Sequence, residues 1–356
     1  MNIEDTIKNT FKSGVIANEE YTLHPIECSV KINQNESPYD LPIELKQQVT
    51  DKLLHRKWNV YPDFVPESLY QKLSAYLGFD KDNILIGNGS NEMIFTILTA
   101  MLESGHTVNI PVPTFTVYGL ISSNLNANVN YIAPNDDLSV NVSALREAAK
   151  IKGSVTIICS PNNPTGRALT PQDLFSIIEA SQGIVVVDEA YIHFGGQTII
   201  DSINKYDTLI ILRTFSKAFG LAGLRIGCMI SNKNIITQLA KVKLPYNLNI
   251  FTLTTLEVVL DNIEFLQKNI DRIMAQKSVL VEGLTKHKEL TVYPSDANFI
   301  LFRTNKPKYI FDELVKRDVL IRTYSSGKYM EGCLRVSIGS PEENQKFLKA
   351  LDEILG

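Results

Sequence analysis

The residues of this chain best suited to chemistry sit in a few short runs, and the first is RTFSKAFGLAGLRIG (213–227). Lys217 lies between a β-rich stretch, TLIILRTF (208–215), and a Gly/Ala segment too small-sided to be ordinary core. Few neighbours can hold such a lysine by packing, which favours a chemical role, although alone it would pass for a surface lysine on a βα loop. Lysine amines form Schiff bases with carbonyls, and pyridoxal phosphate (PLP) is the commonest carbonyl cofactor held in this way. Ser216 before it and Arg225 after it suit a phosphate, one as a hydroxyl donor and the other as a fork-shaped cation.

Further runs decide between those readings. VVVDEAY (185–191) ends a buried strand with Asp188, Glu189 and Tyr191. A carboxylate buried there is costly without a cation, and a protonated pyridine nitrogen would be one. Strand-end acids also bind Mg²⁺ in phosphate-transfer enzymes, but the chain has no phosphate-binding lysine loop. SPNNPTG (160–166) is a rigid turn that fixes Asn162 and Asn163 and is compatible with a cis X–Pro bond. GNGSNE (87–92) follows a strand and opens a helix; Ser90 is expected to cap it, with Asn91 beside it, leaving N–H groups for an anion. PTFTVY (113–118) places Phe115 and Tyr118 after another strand, where stacking on a flat cofactor and core packing are equally open. VYPD (60–63) and GCLRVSIG (332–339) complete the set. Arg335 in the latter lies among apolar residues and needs a carboxylate; Arg322, in VLIRTY, suits a second anion or a surface ion pair equally.

The elements that must carry these residues alternate. Apolar strand-like runs occur at 83–87, 107–112, 154–159, 183–188, 208–213 and 225–230, with amphipathic helical stretches at 66–78, 90–104, 141–150, 171–181 and 231–243. This is an α/β pattern: a mostly parallel sheet with helices on both faces and ligands at the carboxyl ends of its strands. Residues 248–286 read as one long helix, too long for a globular domain unless kinked or broken. The chain divides into an N-terminal arm (1–40), read as extended and packed on the small domain or a partner subunit; a large domain (41–250); and a small α+β domain (251–356) that includes the long connecting helix.

Bulk properties narrow the class. Over 356 residues, 44% are hydrophobic and 21% charged, as in ordinary globular proteins, and a net charge of −4 without basic blocks argues against nucleic acid. The four cysteines form no CxxC pair and the five histidines no HxxxH spacing, so no metal is expected and reduced, buried thiols are. The polar start MNIEDTIKNT does not read as a signal peptide, and no apolar run spans a bilayer. A cytoplasmic enzyme is the expectation.

The motifs in order, NQNESPYD (33–40), VYPD, GNGSNE, PTFTVY, SPNNPTG, DEAY, RTFSKAFGLAGLR and LRVSIG, resemble those of the fold-type I PLP-dependent aminotransferases, and within them the histidinol-phosphate aminotransferase group. The similarity covers nearly the whole chain. It implies that Lys217 carries PLP covalently and Asp188 pairs with the pyridinium nitrogen. Tyr191 and Asn163 would bind the ring oxygen and Phe115 would stack on the ring. Ser90, Asn91, Ser216 and Arg225 would hold the phosphate. Tyr61 would reach the cofactor phosphate of a second subunit, implying a homodimer with shared sites. Arg335 corresponds to the arginine for a substrate carboxylate, and Arg322 to that for a substrate phosphate. The implied reaction converts imidazole-acetol phosphate and L-glutamate to L-histidinol phosphate and 2-oxoglutarate, a step of histidine biosynthesis. One departure concerns the substrate pocket: EEYTLHPIE (19–27) places Tyr21 where the family has a proline–tyrosine element, but without the proline. A threonine-phosphate decarboxylase or an aromatic aminotransferase would share this frame, and a non-catalytic PLP-binding module is the reading outside enzymes.

Overall fold

The computed structural model describes residues 2–19, 26–324 and 327–356. Tyr21 lies outside them. A seven-stranded sheet runs, from edge to edge, Ile84–Gly87, Gly227–Ser231, Leu209–Thr214, Ile184–Asp188, Val155–Cys159, Thr107–Pro111 and Asn128–Ile132. Gly227–Ser231 is antiparallel to both neighbours, and the other pairings are parallel.

The unbroken apolar runs are explained by cover on both faces. Val185 and Val187 enter one core and Val186 the other; Ile211 is parted from Ile210 and Leu212 in the same way. The first core is closed by the helices Ile43–Leu54, Glu67–Leu77, Val142–Ala149, Pro171–Ala180 and Ile250–Asp261, the second by Gly89–Met101, Val117–Asn124 and Lys233–Ala240. Period-2 alternation thus sends neighbours to opposite sides, each of which is apolar.

A second, four-stranded antiparallel sheet orders Arg322–Thr323, Cys333–Ser337, Phe299–Arg303 and Thr291–Val292. The long helical stretch is broken, as its length required: Ile250–Asp261 ends at Asn262, and Glu264–Thr285 begins after Ile263.

The first forty residues are not simply extended. Ile3–Thr10 is a helix, because the Asn2 side chain accepts from the Asp5 N–H at its start. Residues 13–18 rest on the larger sheet's helical cover: Asn126 accepts from the Gly14 N–H at 2.9 Å, and Asn18 donates to Asn124 at 2.7 Å. Val30–Lys31 then pairs in parallel with Val319–Leu320 beside the smaller sheet. Cys159, Cys228 and Cys333 are buried free thiols and Cys28 is partly covered. Among the described residues no helix is long and apolar enough to cross a membrane, and no group of metal-ligating side chains gathers.

Candidate active site

Where the carboxyl ends of the parallel strands face the smaller sheet, a cavity of about 400 Å³ opens. Its wall includes Ser90, Asn91, Phe115, Asn163, Asp188, Tyr191, Ser216, Lys217, Arg225, Arg322 and Arg335. Eleven of the thirteen residues to which the resemblance assigns a site role therefore meet in one place. Tyr61 does not: it is 79% exposed and stacks on Tyr246 with ring centroids 4.7 Å apart.

Asp188 is the last residue of a central strand and is 3% exposed. The Tyr118 hydroxyl donates to its Oδ2 at 2.7 Å, and the Ala190 N–H to its Oδ1 at 3.1 Å. Burial dominates both bonds and pushes the carboxyl up to about 6. No cation of the chain pairs with it among the described residues. Its neighbour Glu189 differs: Arg213 meets it at 2.7 Å, and Thr198 Oγ1 and the Ile199 N–H also donate to it. Tyr118, equally open to stacking or packing in the sequence, is fully buried and serves to orient Asp188.

Lys217 donates from Nζ to the Gln34 carbonyl at 2.9 Å, and its Nζ lies 5.9 Å from the Tyr191 ring centroid. Burial first, then the positive charge of Arg335, lowers the ammonium to about 8. A substantial neutral fraction therefore exists near neutrality, as a nucleophilic amine requires. Burial holds the Tyr191 phenol well above its ordinary range, so its proton stays on; its oxygen accepts from Asn35 Nδ2 at 3.1 Å.

In the SPNNPTG turn the Ser160–Pro161 and Asn163–Pro164 bonds are both cis. Asn162 is consumed by the turn, bonding Thr114, Thr165 and the Pro113 carbonyl, and Asn163 accepts from Arg335 Nη1 at the cavity.

At the opposite end, the helix Gly89–Met101 starts two residues earlier than Ser90 capping would need. Its N-cap is Asn88, with no side-chain cap bond, because Glu92 folds back to accept the Asn88 N–H. Ser90 sits instead inside the first turn, whose N–H groups are left for an anion. Arg225 closes this corner, with Nη1 3.3 Å from Ser216 Oγ and its backbone at φ +50°. A Cβ on Gly89, itself at φ +79°, would come within 2.6 Å of Arg225 Nη2, and one on Gly227 within 2.6 Å of the Ser90 nitrogen. Side-chain bulk is excluded where a phosphate would be held. A phosphate cradle, an aromatic wall at Phe115, a buried acid without a cation among the described residues and a lysine of lowered basicity together suit PLP.

The smaller sheet faces this floor with two guanidiniums. Arg335 and Arg322 are directly opposed in the antiparallel register. Arg335 is 6% exposed, donates Nη2 to the Asn33 carbonyl at 2.9 Å, and has an unpartnered Nε. Neither has a carboxylate among the described residues. Like charges directly across a sheet are unfavourable, and anions would relieve them.

The sequence from 29 to 351 matches the family model "Aminotransferase class I and II". The chain belongs to the class I and II aminotransferases. A histidinol-phosphate aminotransferase of Caldanaerobacter subterraneus subsp. tengcongensis is 37% identical over 351 residues, covering 98% of this chain and 99% of the relative. The fold matches the crystal structure of histidinol-phosphate aminotransferase from Sinorhizobium meliloti in complex with PLP, at TM-score 0.88 and 20% identity, over 97% of each chain. It also matches an L-threonine-O-3-phosphate decarboxylase of Porphyromonas gingivalis, at TM-score 0.80 and 23% identity, over 92% of this chain and 99% of that one. For this aminotransferase, Gln34 and Asn35 were not singled out in the sequence, and neither the bond from Tyr118 to Asp188 nor the pairing of Glu189 with Arg213 was foreseen. Glu189 and Arg213 sat inside quoted motifs, and a buried glutamate beside Asp188 was the signal that a cation had to be near.

Proposed function

We propose that the chain is a PLP-dependent aminotransferase that exchanges an amino group between glutamate and imidazole-acetol phosphate, forming histidinol phosphate and 2-oxoglutarate. The observation that carries this reading is Asp188: a buried carboxylate with no cation among the described residues, facing a cavity shared with a lysine of lowered basicity. The 37% identical histidinol-phosphate aminotransferase supports the substrate.

The cofactor, when bound, supplies a carbonyl that captures the substrate amine and a protonated ring that receives electron density from the substrate Cα. Asp188 holds that ring proton, and Tyr118 holds Asp188. Lys217 would attach the cofactor and, once displaced, its Nζ would take the proton from the substrate Cα and hold it for return. Tyr191 and Asn163 bind the ring oxygen, Phe115 stacks, and Ser90, Asn91, Ser216 and Arg225 anchor the phosphate. Arg335 takes the α-carboxylate of glutamate. Arg322 takes the second acid group, whether the side-chain carboxylate or the phosphate ester, which accounts for paired guanidiniums serving both substrates.

We also propose an arm (1–40), a large domain (41–250) and a small domain (251–356), assembled as a cytoplasmic homodimer in which Tyr61 serves the neighbouring site. Its exposure beside Phe64 and Tyr246 supports this assignment, since such an apolar surface suits a partner. The test is to mix the PLP-loaded protein with single substrates and follow the yellow absorption band. Rapid bleaching by histidinol phosphate and by glutamate, but not by phenylalanine, is expected. Carbon dioxide release from phosphothreonine without accumulation of the aminated cofactor would replace this reading with a decarboxylase.

A further inference from the structure

Resting on the PLP reading above, we propose that Asn35 is a positioning residue that aims the Tyr191 hydroxyl proton at the cofactor's ring oxygen, and that Ser337 of the smaller sheet sets its orientation. The order of donors and acceptors leaves one arrangement. The Asn35 backbone N–H donates to Ser337 Oγ at 2.8 Å. The serine proton is then free to go to Asn35 Oδ1, 3.1 Å away. With its oxygen committed, the amide presents its NH₂ to the Tyr191 oxygen at 3.1 Å. Tyr191 is left accepting, so its single proton points elsewhere; no acceptor takes it among the described residues, and its ring borders the cavity.

This arrangement is built at a cost. Asn35 is 1% exposed and holds φ +55°, a conformation that asparagine tolerates better than most residues, and Asn298 Nδ2 pins its carbonyl at 3.2 Å. Ser337 sits two residues beyond Arg335 on the same strand, hence on the same face. The strand that grips the substrate's acid group therefore also orients the amide that polarises Tyr191. The charged and titratable groups around Tyr191 are Arg335, which favours its ionised form, Asp188 and Cys159, which oppose it, and Lys217 beneath its ring. None of them accepts its proton.

A hydroxyl donated to the ring oxygen stabilises negative charge there, so its misalignment should raise the pH midpoint of the bound cofactor's absorption band. Asn35→Gly keeps the left-handed backbone and removes the amide. It is expected to move the midpoint up by about one unit and to lower kcat about tenfold, with the KM for glutamate changed less than about twofold. Asn35→Asp puts an acceptor where the donor was and draws the tyrosine proton away, so a larger shift is expected from a nearly isosteric change. In a Tyr191→Phe background neither substitution should move the midpoint further. Ser337→Ala, which leaves Asn35 in place, should shift it in the same direction by a smaller amount, and it decides the matter if Asn35 variants do not fold. Cofactor-loaded variants that titrate at the wild-type pH, or shifts that persist undiminished without the Tyr191 hydroxyl, would overturn the relay. A wild-type protein with no titrating band would overturn the PLP reading itself.

Discussion

Two ionisable groups in the cavity are held away from their ordinary states by burial, in opposite chemical senses. Asp188 rises from 3.8 to about 6, so between these values the folded, cofactor-free chain binds more protons than the unfolded one. Its stability accordingly falls as pH climbs from about 4 to about 6, and the deficit persists above that range. Asp188→Asn removes the deficit. Above pH 6 the cofactor-free variant should be the more stable by on the order of 3 kcal/mol, the difference vanishing below about pH 4. With PLP bound the order should reverse, because the wild-type acid then has its cation; melting curves of both forms across pH test this. Lys217→Ala should cut turnover by at least about a thousandfold while the protein still takes up PLP without a bond to it. Borohydride reduction and peptide mapping should find the pyridoxyl label on Lys217 in the wild type and nowhere in the variant.

At the scale of elements, the adjoining strands Ile184–Asp188 and Leu209–Thr214 carry the acid and lead to the lysine. Just past their paired ends, Glu189 and Arg213 form an ion pair whose side chains are 1% and 12% exposed. Breaking such a pair leaves a buried charge, so Arg213→Met should cost about 3–5 kcal/mol in urea denaturation, and adding Glu189→Gln should recover most of it. The strands were legible because covered strands are apolar throughout. The edge strand Asn128–Ile132 was not: only Ile132 is buried, and its asparagines break the apolar run. The helix Ile43–Leu54 was missed because its inward stripe is only Leu45, Val49 and Leu53. Val117–Asn124 was hidden by Gly119 and two serines after an apparent loop motif. Within the site, residues with unusual chemistry announced themselves. Roles exercised through another residue did not: Asn35 went unnoticed and Tyr118 was noticed without its partner, since a hydrogen bond between segments 156 or 70 residues apart leaves no local pattern.

For the whole molecule, Tyr61 gives a test of shared sites that needs no structure of the assembly. A dimer of about 80 kDa, twice the 39.9 kDa chain, is expected on sedimentation. Tyr61→Ala and Lys217→Ala chains, each deficient alone, should complement when unfolded and refolded together. A random mixture gives one native site per heterodimer, and so roughly a quarter of wild-type activity. The two-sheet construction has a mechanical corollary. The larger sheet offers the seat for an amine, and the smaller one offers the guanidiniums of Arg322 and Arg335. A diacid substrate must bridge that gap, while a plain amine would touch one side only. On the proposed reading glutamate would work as a clasp: for as long as it stays bound, a metabolite smaller than any one helix would fasten the two sheets together.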